Sequence, residues 1–213
     1  MNEAKNVIEY YVLCNKLKNV IRTGWKIWNV KKDRLESIAE HVYGVQMLAI
    51  AMYSEYKYDI DIKKVIFMLA IHELEEIYIG DLTLFDISNE DKQKKGHEAV
   101  MKILDNLRSK NEIMKLIVEF DELKTKEALF AHYCDKLEAD IQSKLYDEEE
   151  CVDLNNQEGN KILSDPVVNE LLKSGKSWSE MWLIFGQRKY NYDEHFKEVS
   201  NYVINNDIKK FTK

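Results

Sequence analysis

Apolar residues recur at helical spacing along most of this chain. Val7, Ile8, Tyr11, Val12 and Cys14 predict a first helix over Glu3 to Leu17. Arg22-Thr-Gly-Trp25, Trp28-Asn-Val30 and the charged run Lys31 to Arg34 break the period and read as irregular. Ser37 followed by Glu40 is a capping box, and the helix it opens runs through His41, Val45, Leu48, Ala49 and Met52 to about Glu55. Asp59 or Asp61 caps a third helix, Ile62 to Ile77, ending near Gly80, with Asp81 to Asp86 as loop. Helices follow over Asn89 to Leu107, Glu112 to Phe120 and Thr125 to Tyr146, and the acidic run from Asp147 to Cys151 is a helix end or solvent-facing turn. The last third reads as helical over Asn155 to Lys173, Ser177 to about Phe185 and Asp193 to Lys209, and Asp165-Pro166 is able to start a new helix.

The expected fold is therefore all-α: a single-domain helical bundle of about eight helices over residues 1–213, with no internal repeat and no linker. Only 7 Gly and 1 Pro, beside 32% charged residues, fit long helices with solvated outer faces. A formal net charge of -7 argues against a nucleic-acid polymer or an anionic membrane as partner. It does not exclude a small phosphorylated ligand, because a local cation overrides the global sign. Cys14, Cys134 and Cys151 lack metal-type spacing and read as reduced thiols. Met1 to Glu9 has no apolar secretion-signal core, and no apolar run is long enough to span a bilayer, so a cytoplasmic protein is expected.

One run changes the picture. After Val65 to Ile71, the chain delivers His72, Glu73, Glu75 and Glu76 in quick succession. Carboxylates at the end of a buried apolar run are costly unless a cation meets them, and a divalent metal is the simplest one. On a regular helix His72 and Glu76 share a face, which leaves Glu75 the more exposed. His41, one turn into its helix, and His132 and Asp135 on the Thr125 helix are further donors. An imidazole from one helix, an imidazole–carboxylate pair from the next and a distant carboxylate make a four-donor set of the kind helical bundles build. Such mixed ligation suits Mn, Co, Mg, Fe or Zn.

These residues fall into an ordered series that resembles the HD-domain metal-dependent phosphohydrolases, and within them the small 5′-deoxynucleotidase branch. The series is Arg22-Thr-Gly-Trp25 with Asn29-Val30, Glu36-Ser-Ile-Ala-Glu40-His41, His72-Glu73 with Glu76 and Gly80-Asp81, then Glu119-Phe120 and Asp135-Lys-Leu-Glu138. It spans about 17–145, leaving 154–213 as a C-terminal helical extension without a motif. The resemblance implies an HD-domain fold and a metal held by His41, His72, residue 73 and Asp135, activating water and polarising a phosphate ester. It further implies that Glu76 assists as acid/base, that Arg22 and Trp25 meet phosphate and sugar, and that Asp81 meets the sugar. A nucleoside 5′-monophosphate substrate and a homodimer are implied in the same way.

Glu73 departs from the pattern. The family has aspartate there, one methylene shorter, so a ligating Glu73 needs its helix or rotamer to retreat by about 1.5 Å. The alternative is a nucleotide-binding or regulatory protein that has lost its metal through Glu73. His97 and His195 read as solvated, while Trp28, Trp178 and Trp182 read as packing, the last two alternatively as a dimer surface.

Overall fold

The structure, a computed structural model, describes residues 2–83 and 86–212, without the side chains of 89 and 212. The loop expected at Asp81 to Asp86 therefore falls partly outside the described residues. The helices are α1 (Glu3–Cys14), α2 (Thr23–Ile27), α3 (Ile38–Tyr56), α4 (Ile62–Ile71), α5 (Glu76–Ile79), α6 (Asn89–Leu104), α7 (Lys110–Glu122), α8 (Lys126–Glu148), α9 (Pro166–Lys173), α10 (Trp178–Tyr190) and α11 (Glu194–Asn205). No strand forms among the described residues; one isolated antiparallel bridge joins Ile21 to Ser37. The all-α expectation holds. Chain contacts separate two compact units, one of residues up to Thr23 with Glu36–His132, the other of Gly24–Leu35 with residues from Tyr133 onward.

In the first unit, α3 begins where the sequence places it. Ser37 Oγ accepts the Glu40 N–H at 3.3 Å, while Glu40 Oε2 accepts the Ser37 N–H at 2.9 Å. The helix then buries Ile38, His41, Val45, Ala49 and Met52, a single 3.6-period stripe. Asp61 caps α4 by accepting the Lys63 and Lys64 amides. Leu17, Ile38, Ile71, Leu74, Val100, Ile103, Leu104 and Ile117 form the core that these helices share. Each such side chain contributes roughly 1.5–3 kcal/mol when withdrawn from water.

The helix expected to run from Ile62 to Ile77 is broken. It stops at Ile71, residues 72–75 form tight turns, and α5 resumes for one turn. The bonds Leu74 N–H to Ile71 O, Glu76 N–H to Glu73 O and Ile77 N–H to Leu74 O span three residues instead of four. Hydrophobic periodicity cannot show such a change, because Ile71, Leu74 and Ile77 stay apolar under either winding. The first helix also ends early, passing into a 3-10 stretch over Asn15–Asn19, and Asn155 to Lys173 becomes turns, a 3-10 turn and the short α9. Asp165 caps α9, with Pro166 in its first turn.

The second unit is built around aromatic rings. Trp25, Trp28, Tyr146 and Trp178 are buried together with Val168, Leu171 and Met181. Trp25 meets Tyr146 edge-on with centroids 5.3 Å apart, and Trp28 meets Trp178 at 5.9 Å. Beside this core lies a buried carboxyl, Asp140, 3% exposed, which accepts the Tyr192 hydroxyl at 3.2 Å. Gly186 faces it so closely that a Cβ would stand 2.2 Å from Asp140 Oδ2, which demands glycine there.

Burial holds the Asp140 carboxyl well above the usual range; the Tyr192 hydrogen bond and Lys136 oppose the shift. The fold thus favours the protonated form, a contribution present below the ordinary aspartate range and lost as pH rises through the raised value. Asp140→Asn should therefore gain on the native chain by about 1–2 kcal/mol in urea unfolding at pH 8, with the gap closing toward pH 4. Gly186→Ala should lose about 1–3 kcal/mol at either pH. A pH-independent gap for the asparagine variant would contradict the burial argument.

Candidate metal centre and phosphate site

His72 sits at the C-terminal boundary of α4, where its backbone remains helical and its ring is buried. Its Nδ1 lies 2.7 Å from the Leu69 carbonyl oxygen. A carbonyl only accepts, so Nδ1 carries the proton and Nε2 keeps the lone pair that a metal would use. His41, fully buried on α3, presents Nε2 to the same place. Glu73 Oε1 stands 3.8 Å from His41 Nε2 and 3.7 Å from His72 Nε2. Asp135 is carried on α8 and is 3% exposed. Within the first unit, His41, His72 and Glu73 each offer one donor atom, and these atoms lie within 4.8 Å of one another.

This donor set fits a divalent ion. Bonds of about 2.1 Å to a common centre put neighbouring donors about 3.0–3.4 Å apart and opposite donors about 4.2 Å apart. The separations from Glu73 to the two imidazoles fall between those limits. Glu73 makes this approach from the tight turns at 72–75, where three-residue bonds replace α-helical winding. Glu36, in the same unit, also lies within 4.8 Å of a His41 nitrogen. Carboxylates grouped with a ligating imidazole commonly orient it and raise its basicity.

Glu76 is 2% exposed. Burial first, then the negative charges of Glu73 and Asp81 and a hydrogen bond with Glu73, push its carboxyl up to about 11; Arg22 opposes them. A protein that carries no cation beyond its own side chains therefore keeps a proton on Glu76 at neutral pH. Glu75 is half-buried, more exposed than Glu76, which is the order expected from a helical face shared by His72 and Glu76.

Arg22 is delivered by the Ile21–Ser37 bridge: its N–H donates to the Glu36 carbonyl at 3.1 Å, and the Ile38 N–H donates to the Val20 carbonyl at 2.8 Å. Its Nη1 lies 3.7 Å from Glu73 Oε1. Asp81 is half-buried, and its Oδ2 accepts the Thr23 N–H at 2.6 Å. Trp25, which the resemblance makes a substrate contact, is 1% exposed within the aromatic core. Its burial gives it a packing role among those rings.

Two nearby residues escaped the sequence reading. Lys136 Nζ lies 2.7 Å from Asp135 Oδ2, although consecutive helical residues do not normally face each other. Thr23 binds Asp81 twice, and no periodicity or spacing rule singles it out. His97 pairs with Asp121 at 2.6 Å, His195 is exposed, and His132 is not among the four donors.

Residues 14–174 match the HD domain family model. The 5'-deoxynucleotidase HDDC2 of Dictyostelium discoideum is 32% identical over 152 residues, covering 68% of this chain and 79% of that protein. The 5'-deoxynucleotidase hdd1 of Schizosaccharomyces pombe is 29% identical over 156 residues, covering 69% and 76%. Among solved structures, a conserved hypothetical protein from Pyrococcus furiosus superposes with a TM-score of 0.64 at 25% identity, covering 93% of this chain and 99% of that one. A predicted metal-dependent phosphohydrolase from Magnetospirillum magnetotacticum shares the fold, with a TM-score of 0.63 at 19% identity over 95% and 91% of the two chains.

If the tight turn sets Glu73 for the metal, shortening the side chain draws its oxygen away from both imidazoles. Glu73→Asp should weaken Mn²⁺ or Co²⁺ binding about ten-fold in calorimetric titration, and Glu73→Gln by about a hundred-fold or more. Tighter binding by the aspartate variant would show that the extra methylene is a defect.

Proposed function

The chain belongs to the HD-domain family, and on that premise we propose that it is a metal-dependent phosphomonoesterase acting on nucleoside 5′-monophosphates, with deoxy forms preferred. The observation that carries the proposal is the convergence of two buried imidazoles on the Glu73 carboxylate, with Glu76 and Arg22 beside it. The names of the Dictyostelium and Schizosaccharomyces relatives supply the substrate class.

His41, His72, Glu73 and Asp135 would hold the ion. When bound, a divalent ion supplies Lewis acidity to a phosphoryl oxygen and lowers the pKa of water toward neutrality. The remaining work belongs to side chains. Arg22 offers a guanidinium fork to the phosphate oxygens. Glu76, buried and beside Glu73, keeps its proton only while no ion is bound; a cation beside Glu73 would favour its carboxylate, which is then placed to take a proton from the attacking water and return it to the departing sugar oxygen. Asp135, held by Lys136 at one oxygen, is restrained in orientation. Burial of His41, His72 and Glu76 keeps bulk water from dissipating these charges.

In this proposal the 213 residues act as one HD-type domain in a homodimer in the cytoplasm, with 154–213 as its helical extension. No helix among the described residues is long and apolar enough to cross a membrane. One observation favours a second reading: Arg22 already lies near Glu73, so a metal-free, nucleotide-binding protein could neutralise that carboxylate with its own cation.

Release of inorganic phosphate from a panel of nucleoside mono-, di- and triphosphates, with added Mn²⁺ or Co²⁺, separates the readings. We expect turnover of monophosphates, a loss of about 10²–10⁴ in kcat for Glu76→Ala, and a rise of about ten-fold or more in KM for Arg22→Ala. Asp135→Ala should abolish metal stimulation. Nucleotide binding without turnover under any metal would favour the second reading, and turnover of triphosphates alone would move the enzyme to another branch of the family.

A further inference from the structure

α1 turns its apolar face outward. Val7, Ile8, Tyr11 and Val12 share one side of the helix, and each is 55–60% exposed. No residue of α1 is buried. Its inner side is held by amides instead: Asn6 Nδ2 donates to the Asn106 carbonyl at 2.8 Å, and Asn106 Nδ2 donates to Glu9 Oε2 at 3.2 Å. A 12-residue helix is marginal in water by itself, so an uncovered apolar face here is costly. Single exposed apolar residues are ordinary, but four on one helical face make a patch. A groove of about 540 Å³ continues it, lined by Ile8 and Val12 and by the exposed Tyr78. With Tyr78 these residues present roughly 500 Å² of apolar surface, close to the apolar share of the roughly 800 Å² that each partner gives to a standard interface.

Charge and symmetry select the occupant. α1 opens with Glu3, and the 3-10 stretch that follows it carries Lys16 and Lys18. Two antiparallel copies bring acidic end to basic end and oppose their helix dipoles, whereas parallel copies join like ends. The stripe is also balanced about its midpoint between Glu9 and Tyr10, so a two-fold rotation sets Ile8 level with Tyr11 of the partner subunit. Trp178, the other dimer surface suggested by the sequence, is 1% exposed within the aromatic core. We infer that α1 is the face through which two copies of this chain pair, antiparallel about a two-fold axis at the Ile8–Tyr11 stripe. The inference rests on the homodimer proposed above and names its surface; it is independent of the metal and the substrate.

Sedimentation equilibrium and amide hydrogen exchange on the full chain test it. The native chain should sediment at twice its chain mass at micromolar concentration. Ile8→Glu or Tyr11→Glu should raise the dimer dissociation constant about a hundred-fold or more. Met47→Glu, at an exposed apolar position of α3, should change it by less than about three-fold. Exchange over residues 4–14 should slow as concentration rises through the dissociation constant, while exchange in α3 stays constant. Ile8→Cys gives a reading that does not depend on how α1 tolerates a charge. A short bis-maleimide should join two Ile8→Cys chains, and should join Met47→Cys chains no more than native ones. A native chain that sediments as a monomer throughout would overturn the homodimer and this face together. A dimer untouched by Ile8→Glu and Tyr11→Glu, or joined at Met47→Cys and not at Ile8→Cys, would leave the homodimer standing and overturn the α1 face.

Discussion

Negative charge gathered in a buried place is the constraint on which this site depends. Glu73, Glu76 and Asp81 influence one another electrostatically, and Glu76 is almost wholly withdrawn from water. Such a group needs protons, cations or both. The structure supplies each in part: Glu76 keeps a proton, and the Arg22 guanidinium approaches Glu73. The His41 and His72 nitrogens beside Glu73 complete a donor set that a divalent ion would satisfy better than one arginine can. The same repulsion that makes the cluster costly in an empty protein gives it affinity for a cation and leaves Arg22 able to turn to phosphate.

Backbone geometry decides whether those charges can cooperate. The capping box at Ser37 and Glu40 starts α3 so that His41 falls on its buried stripe. The Leu69 carbonyl holds the His72 ring and sets which nitrogen keeps its lone pair. The tightened turns after Ile71 bring Glu73 Oε1 almost equally close to both imidazoles, despite a side chain one methylene longer than the family pattern. Arg22 arrives through the Ile21–Ser37 bridge, the isolated piece of β-pairing in an otherwise helical chain.

Much of this was legible in the sequence, for identifiable reasons. Long amphipathic periods and cap residues marked α3, α4 and α8, because burial of one face and satisfaction of helix-end amides leave residue-type signatures. His41, His72 and Glu73 drew attention in the sequence because histidine and carboxylate at the ends of apolar runs are costly without a purpose. The break at His72 was not legible: three- and four-residue winding keep the same apolar residues inside. Trp25 was read for its place beside an arginine, and its packing against Tyr146 and Trp178 was not legible, because an aromatic residue there fits a ligand pocket and a core equally well. The pairing of Thr23 with Asp81 depends on residues far apart in the chain, which no local rule connects.

The central claim is that Glu73, on its tightened turn, completes a cation site with His41 and His72, for which Asp135 is the proposed further ligand. The most direct test is anomalous scattering from crystals grown with Mn²⁺. The account predicts a single strong peak bonded to His41 Nε2, His72 Nε2, one Glu73 oxygen and one Asp135 oxygen at about 2.0–2.3 Å. A peak that leaves Glu73 uncoordinated, or no peak with Arg22 seated on Glu73, would contradict it.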